Sequence, residues 1–226
     1  MKTIFFSIAA LLAPLLFTTT ASAGLIQYQG YSRADNSNVV QGGGLEWLQW
    51  SSTKDLSIDA ALQQYSAQGW RLASNTEMTM LFNRFQFGKT NWHAQETVQQ
   101  SVDQPWTVSE NSIHRDFLTL FGHSQFFTHN NNDPHAGVFA LYGSDANQNG
   151  LYNLARVFED WSLISQGVEY SGAHNAMLFE ERYRSNFHSG NVAVALVRGD
   201  ASQVTAPGSA TLMLLALTGL LLRRRR

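Results

Sequence analysis

The chain of 226 residues contains no cysteine, only 4 prolines and only 14% charged residues. Without cysteine it can form no disulfide bond, no thiolate nucleophile and no cysteine-ligated metal centre. It also lacks a Gly-x-Ser-x-Gly sequence and a His-Glu-x-x-His sequence, which are typical of serine hydrolases and zinc peptidases. The fold must therefore be held together by packing, for which 6 Trp, 14 Phe and 7 Tyr supply large apolar surfaces.

The first of two terminal apolar runs has the order of a secretory signal peptide. Lys2 precedes an apolar stretch over residues 4–17, and small residues follow at 21–23 in the sequence Ala-Ser-Ala. A charged, an apolar and a small-residue region in this order are typical of a signal peptide with an A-x-A cleavage site. We expect residues 1–23 to be removed and the mature protein to begin at Gly24. The alternative is an uncleaved N-terminal anchor.

The second terminal run lies at the C-terminus. A polar stretch over residues 201–209 leads into the apolar segment 210–222, and the chain ends in Arg223, Arg224, Arg225 and Arg226. The apolar segment is shorter than the roughly 20 residues of a confident membrane span. It is long enough to insert transiently into a bilayer, with the arginines retained on the cytoplasmic side. This layout is typical of a sorting signal that inserts transiently into the inner membrane.

The C-terminal residues resemble the PEP-CTERM sorting signals that exosortases process in Gram-negative bacteria. The matching features are Pro207 and Gly208 in the small polar box, Gly219 in the apolar segment and the terminal arginines. The box reads Thr-Ala-Pro-Gly, where the family usually has Pro-Glu-Pro. The resemblance implies an exosortase-like partner, removal of the tail, and delivery to the outer surface or the extracellular matrix. The alternative is a tail that stays in place as a membrane anchor.

Residues 24–200 have the length expected for one exported domain with a sizeable core. Without Lys2 and the four terminal arginines, 10 basic residues face 17 acidic ones, so the net charge of the mature chain is about −7. A charge of this sign disfavours nucleic acids and anionic membrane surfaces as partners.

Capping residues and apolar spacing predict two helices near the front of this domain. Ser57 is a good N-cap for a helix through Ala67, and Gly69 is its stop. Ser74 and Glu77 have the spacing of a capping box at the start of the second helix. The predicted buried face of this second helix consists of Met78, Leu81, Phe82 and Phe85.

Alternating apolar residues predict strands over residues 45–50, 138–142, 151–158, 177–182 and 192–198. Helices early and strands late, with no βαβ alternation, indicate a single α+β domain with a largely antiparallel sheet. Trp47 and Trp50 are three residues apart in one predicted strand and should face opposite sides of the sheet. We expect one of them in the core and the other under a helix or exposed as a stacking platform for sugar.

Two segments resemble exported bacterial domains with a C-type-lectin-like fold. The first runs from Gly44-Leu-Glu-Trp-Leu, through the Ser57 helix, to the sequence Gly-Trp-Arg-Leu-Ala-Ser at residues 69–74, and the second is residues 191–199. The chain departs from this class at Ala73, where a proline is usual. It also contains no Glu-Pro-Asn, Gln-Pro-Asp or Trp-Asn-Asp sequence, so no sugar-binding residue is carried over.

Within the Gly-Trp-Arg-Leu sequence we expect structural roles. Trp70 should pack in the core, and Arg71 should pair with a carboxylate or cap a carbonyl group.

The sequence Asp145-Ala-Asn147-Gln-Asn149-Gly fits the first half of a calcium-binding loop. The alternation aims three side-chain oxygens at one point, and the glycine permits the sharp turn that follows. The second half does not fit, because Arg156 stands where a bidentate glutamate belongs. A calcium site would need Glu159 or Asp160 to reach back, and the alternative is an Asx-rich surface turn between two strands.

Histidines and carboxylates give no clear catalytic pattern. His114, His123, His129 and His135 lie in one region and His174 and His188 in another, without the spacing of a zinc site. The doublets Glu159-Asp160 and Glu180-Glu181 place neighbouring side chains on opposite faces of a strand, so neither forms an acid/base pair by itself.

These observations favour a non-catalytic protein, exported to the cell surface or matrix, that needs no cofactor apart from a weak calcium candidate. Exopolysaccharide is the expected partner, bound through exposed aromatic side chains and Asn-rich loops. The competing hypothesis is a secreted glycan hydrolase with an unrecognised carboxylate pair, for which two facing carboxylates in a pocket would be the mark.

Overall fold

The computed structural model describes residues 24–105, 112–129, 133–160 and 173–199. The signal sequence at 1–23 lies outside the described residues. So do the linker, sorting box, apolar segment and arginines between 201 and 226. The expectations for both ends of the chain therefore stay predictions.

The described residues form three α-helices, thirteen strands and two short 3-10 turns. The helices are α1 (Ile58–Tyr65), α2 (Asn75–Phe85) and α3 (Ile113–Phe121), and the 3-10 turns cover Trp50–Thr53 and Ser66–Gln68. The first seven strands are β1 (Leu25–Tyr28), β2 (Tyr31–Ala34), β3 (Val39–Gly42), β4 (Leu45–Leu48), β5 (Arg71–Leu72), β6 (Gln100–Pro105) and β7 (Gln125–His129). The other six are β8 (Asp133–Tyr142), β9 (Leu151–Asp160), β10 (Ala173–Leu178), β11 (Tyr183–Arg184), β12 (Val192–Val194) and β13 (Leu196–Gly199).

The strands assemble into two sheets. Sheet A has the order β1-β2-β3-β4-β13-β5, and sheet B has the order β12-β8-β9-β10-β6, with β7 also on β8 and β11 also on β9. Among the strand pairs of the described residues, β12 with β8 is parallel and the others are antiparallel. The prediction of an α+β fold with a largely antiparallel sheet is confirmed.

The segment predicted as one strand over 192–198 is two strands that connect the sheets. β12 pairs with β8 in sheet B, whereas β13 pairs with β4 and β5 in sheet A. At the junction, Ala195 N donates to Leu141 O at 2.9 Å, and Ala195 O accepts from Ala73 N at 2.9 Å. The crossing residue therefore bonds to both sheets, which removes the unpaired backbone groups that a break would otherwise expose.

Local capping signals place the first two helices where the sequence predicted them. Ser57 Oγ accepts from Ala60 N at 3.1 Å, and Gly69 follows the helix with a φ of +83°. At α2, Ser74 and Glu77 make both hydrogen bonds of the capping box. The predicted face of α2 is buried, since Met78, Leu81 and Phe82 are 0% and Phe85 is 2% exposed.

Several elements differ from the predictions. The helix α3 and the strands β1, β2, β3, β6 and β7 were not expected, and β10 ends at Leu178 instead of beginning at Met177. Beyond β10, Glu181 N and Arg182 N bond to Glu96 O and Tyr152 O, so the chain has already left its strand. The strand predicted over 45–50 ends at Leu48, because the chain turns at Trp50.

The main core lies between the two sheets and the helices α2 and α3 and is rich in aromatic rings. Phe117 stacks on Phe121 at a centroid distance of 4.4 Å and meets Trp50 edge-on at 5.1 Å. Trp47 and Trp50 are 1% and 0% exposed, so of the two alternatives for the second tryptophan, the exposed sugar platform is excluded. Trp50 turns inward because it opens a 3-10 turn and does not continue the strand.

A smaller core contains Trp70, which is 3% exposed, as expected. The guanidinium of Arg198 lies 4.4 Å above the centroid of this ring. Arg71 pairs with the carboxylate of Glu77, the structural role that the sequence predicted.

The two ends of sheet A are occupied by different parts of the chain. At one end, Leu25 pairs with Ala34, and Leu196 pairs with Leu72. At the other end, Gly199 pairs with Leu45 at the close of β13. The chain therefore enters sheet A at one end and leaves it at the opposite end.

Candidate functional site

The loop over residues 143–150 joins β8 to β9 and contains the predicted calcium ligands. It is tied to the first end of sheet A, because Gly143 N donates to Ala73 O at 2.9 Å. Asp145, Gln148 and Gly150 have φ values of +45°, +58° and +76°. These left-handed residues make the loop turn sharply, and glycine and aspartate tolerate that conformation better than most residues.

The three predicted ligand oxygens accept hydrogen bonds from the backbone of the loop. Asp145 Oδ1 accepts from Gly150 N at 3.1 Å, and Asn147 Oδ1 accepts from Asn149 N at 3.1 Å. Asn149 Oδ1 accepts from Leu151 N at 2.8 Å. The bonds of Asn147 and Asn149 are Asx turns, which the sequence allowed as the alternative to calcium, whereas the bond of Asp145 spans five residues and closes the loop.

Glu181, from the segment after β10, accepts hydrogen bonds from the side-chain NH2 groups of Asn147 and Asn149. Asn147 Nδ2 donates to Glu181 Oε1 and Oε2 at 2.9 and 3.0 Å, and Asn149 Nδ2 donates to Glu181 Oε1 at 2.6 Å. The carboxylate that reaches the loop is therefore Glu181. Glu159 was one of two residues that a calcium site would need to reach back, but it lies nine residues beyond Gly150 along β9, a distance of about 30 Å in an extended strand.

Two further segments hold the loop from outside. Glu96 Oε1 accepts from Ala146 N at 2.5 Å, and Asn75 Oδ1 accepts from Ser144 N at 3.1 Å. Asn75 Nδ2 in turn donates to Asn153 Oδ1 at 3.0 Å. Asn153 is 1% exposed and donates to the backbone oxygens of Gln95, Glu96 and Phe179. We call the set Glu96, Asp145, Asn147, Asn149 and Glu181 the Asx-loop site.

The Asx-loop site is electronegative. It holds three carboxylates, and the pKa of the nearby Tyr152 is raised by partial burial and by the negative charges of Asp145 and Asp59. Within residues 24–199, as far as they are described, no three His, Asp or Glu side chains are grouped as ligands for a metal ion. A calcium ion would thus have to draw on the asparagine oxygens, and calcium binding stays a prediction.

The histidines whose side chains are described do not come together. His114 is 1% exposed in α3 beside Phe87. His123 lies against the ring of Phe126, and His188 Nδ1 lies 3.5 Å from Asp55 Oδ1. The side chains of His129, His135 and His174 lie outside the description.

The carboxylates considered for hydrolysis are also separated or buried. Glu159 is 2% exposed and accepts from Ser112 Oγ at 2.6 Å, at the start of α3. Burial and the charge of Glu159 raise the pKa of Asp116, partly offset by Arg115. The Glu159 carboxylate is thus shielded from a substrate, whereas Asp116 is partly exposed.

The sequence predicted the loop but not its partners. Asn75, Glu96 and Glu181 are distant in the chain, and they reach the loop only through the packing of α2 and β9. The doublet Glu180-Glu181 was noted only as neighbouring carboxylates that do not form an acid/base pair by themselves. A residue that contacts a loop from a distant segment leaves no pattern in the neighbouring sequence by which it could be recognised.

Comparison with protein-family models, curated proteins and solved structures finds no match to this chain. A search for membrane spans finds no sufficiently long and apolar helix in the part of the chain that the structure describes.

Proposed function

We propose that this chain is a non-catalytic protein that is exported to the outer surface or matrix of a Gram-negative bacterium and binds exopolysaccharide there. Its export is supported by the signal-like residues 1–23 and by the resemblance of residues 205–226 to an exosortase-processed tail. The lectin-like resemblance of residues 44–74 and 191–199 gives the proposal its ligand class. An α+β fold with largely antiparallel sheets is compatible with that resemblance.

The observation that carries the binding proposal is the network of hydrogen bonds that orders the Asx-loop site. Its amides and carboxylates are held in fixed directions by hydrogen bonds from the loop, α2, Glu96 and Glu181. Amide and carboxylate groups together offer the donors and acceptors that saccharide hydroxyl groups require. A site that is already ordered loses little conformational entropy when it binds a ligand. The three carboxylates favour a saccharide segment without negative charge, or an anionic one only with a bridging cation.

The test is binding of the exported protein to the exopolysaccharide of its host, measured in calcium and in chelator. The variant Asn149→Ala removes one amide of the Asx-loop site, and Asn186→Ala, at an exposed asparagine outside it, is the matched control. We expect Asn149→Ala to weaken binding at least about tenfold, the effect of one lost hydrogen bond to a charged or rigid group. Equal binding by both variants would remove the site from the proposal.

The calcium arm has a separate outcome. Binding that disappears in chelator would make Asp145, Asn147 and Asn149 calcium ligands and this protein a calcium-dependent matrix lectin. Binding that persists in chelator would leave them as direct contacts to sugar. An absence of binding in both buffers would overturn the polysaccharide proposal.

The fate of the tail is tested by mass spectrometry of the native C-terminus. A C-terminus near Pro207 supports sorting by an exosortase-like enzyme. An intact C-terminus with all four arginines supports the alternative, in which the tail remains as an anchor.

A further inference from the structure

The second face of sheet B carries a polar cluster that lies apart from the Asx-loop site. The sheet register aligns two rows of residues on this face, and Arg156 is in the second of them. The first row is Asp103, Asn175, Phe158 and Gly137, and the second is Ser101, Met177, Arg156 and Phe139. The opposite face of the same strands presents Val138, Val157 and Ala176 to the main core, all of them 0% exposed.

Among the described residues, the hydrogen bonds of the Arg156 side chain all go to one side, toward Asn175. Its Nε donates to Asn175 Oδ1 at 2.7 Å, and its Nη2 donates to the same oxygen. Asn175 Nδ2 in turn donates to Asp103 Oδ1, and the amide of Asn175 is 3% exposed. The guanidinium therefore has a set orientation, while its Nη1 has no hydrogen-bond partner within the described residues.

Among the described residues, Arg156 donates to a neutral oxygen, as Arg33 and Arg84 do, but its acceptor is a side-chain amide and not a backbone carbonyl. Arg71, Arg182 and Arg198 each bind a carboxylate directly. Arg156 binds the neutral amide of Asn175 instead. The carboxylate of Asp103 is linked to Arg156 only indirectly, because it accepts the hydrogen bond of that amide. The pKa of Arg156 is lowered by burial, which the charge of Asp103 offsets in part. Half-buried between Phe139 and Met177, this cation has no direct counter-charge among the residues that the structure describes, although such a charge usually compensates for lost hydration.

An incoming carboxylate would supply that counter-charge. The free edge of a guanidinium can take a carboxylate through two parallel hydrogen bonds, and apolar neighbours strengthen such a pair by excluding water. Phe139 packs partly against the smaller core, and the sheet register places its partly exposed ring next to the cation, which suits a ligand with an apolar face beside its carboxylate.

We propose that this face of sheet B is a binding site for a uronic acid residue. Arg156 contacts the carboxylate, Phe139 contacts the sugar ring, and Asn175 and Asp103 act as positioning residues. The site lies six residues along β9 from the Asx loop, about 20 Å away in an extended strand. Mutations can therefore alter this site and the Asx-loop site separately.

The experiment is a titration of the full chain with sodium glucuronate at constant ionic strength, followed by NMR or calorimetry, with glucose as the uncharged comparison. We expect saturable binding of glucuronate and none of glucose in the same range. Arg156→Gln should abolish the binding, and Arg156→Lys should weaken it by about tenfold or more, because lysine keeps the charge but loses the planar fork. Arg184→Gln, at an exposed position of β11, is the control and should bind as the unmodified protein does.

Asn175→Ala tests the positioning role. It should weaken glucuronate binding while leaving the selectivity over glucose, because the cation remains but its orientation is lost. Thermal melts of each variant establish that the fold is intact. The proposal is overturned if glucuronate does not saturate, if glucose binds equally well, or if folded Arg156→Gln binds like Arg184→Gln.

Discussion

Arg71 Nη1 donates to Glu77 Oε2 at 2.9 Å, and the same oxygen accepts the backbone N–H of Ser74 at 2.8 Å. One carboxylate thus joins the end of β5 to the first turn of α2. Burial alone would raise the pKa of Glu77, but the hydrogen bonds from Arg71 and Ser74 outweigh it and lower the pKa.

Glu77→Gln should destabilise the protein at neutral pH and much less in acid. Glutamine can still occupy a capping box, so the variant removes mainly the charge, with an expected loss of about 0.5–1 kcal/mol at pH 7. Because the folded pKa is below the unfolded value of about 4.3, this stabilisation is complete above that value and disappears as pH falls through the folded pKa. Thermal melts between pH 7 and 3 measure the difference, and a gap that stays constant into acid contradicts the assignment.

Two neighbouring residues of α2 should respond very differently to truncation. Leu81 is 0% exposed in the main core, whereas Met80 is 46% exposed on the same helix. We expect Leu81→Ala to cost about 2–5 kcal/mol of unfolding free energy and Met80→Ala about 0.5 kcal/mol or less. Denaturant titration of both variants tests the helix orientation, and similar midpoints for the two would argue against it.

Glu46 and Arg198 form a half-covered ion pair between β4 and β13. Arg198 Nε donates to Glu46 Oε2 at 2.5 Å, and the side chain of Glu46 is only 7% exposed. Arg198→Met leaves that carboxylate buried without its donor, and we expect a loss of about 1–3 kcal/mol. Adding Glu46→Gln to this variant should restore part of the loss. A double-mutant cycle measures the coupling, and strictly additive losses would mean that the two side chains do not interact.

The pKa of Tyr152 should fall when Asp145 is neutralised. Burial is the first cause of its raised pKa, and the charges of Asp145 and Asp59 add to it. Asp145→Asn removes one of these charges, so the phenol should ionise at lower pH. NMR titration of the assigned tyrosine ring measures the shift, with the exposed Asp35→Asn as a control that should leave it unchanged.

The parts of the fold that the sequence predicted are those with local causes. Ser57, Ser74 and Gly69 begin or end helices through hydrogen bonds to residues within a few positions. The helix α3 has comparable signals, with Ser112 as its N-cap and Phe117 and Phe121 one turn apart. The polar run His-Arg-Asp at residues 114–116, between the N-cap and Phe117, obscured the apolar pattern. The strands β1, β2 and β3 are only four residues long and half exposed, so their alternation was too weak to identify.

The sites show the same division between local and distant causes. The turn at Asp145, Asn147 and Asn149 follows from residue types two positions apart, and the sequence identified it. Glu181 reaches this turn only after β9 and β10 have paired. Arg156 was noted only as a misfit in a calcium pattern, because its partner Asn175 becomes its neighbour through strand register.

The point at which the chain leaves sheet A and the Asx loop lie at opposite ends of that sheet. The chain leaves the sheet at Gly199, beside Leu45, whereas the Asx loop is tied through Ala73 to the far end. A protein held at a surface by the residues after Gly199 would carry the Asx loop on the side away from its point of attachment. The amides of Asn147 and Asn149 would then face the surrounding medium, where polymer strands can reach them without displacing the protein from its support.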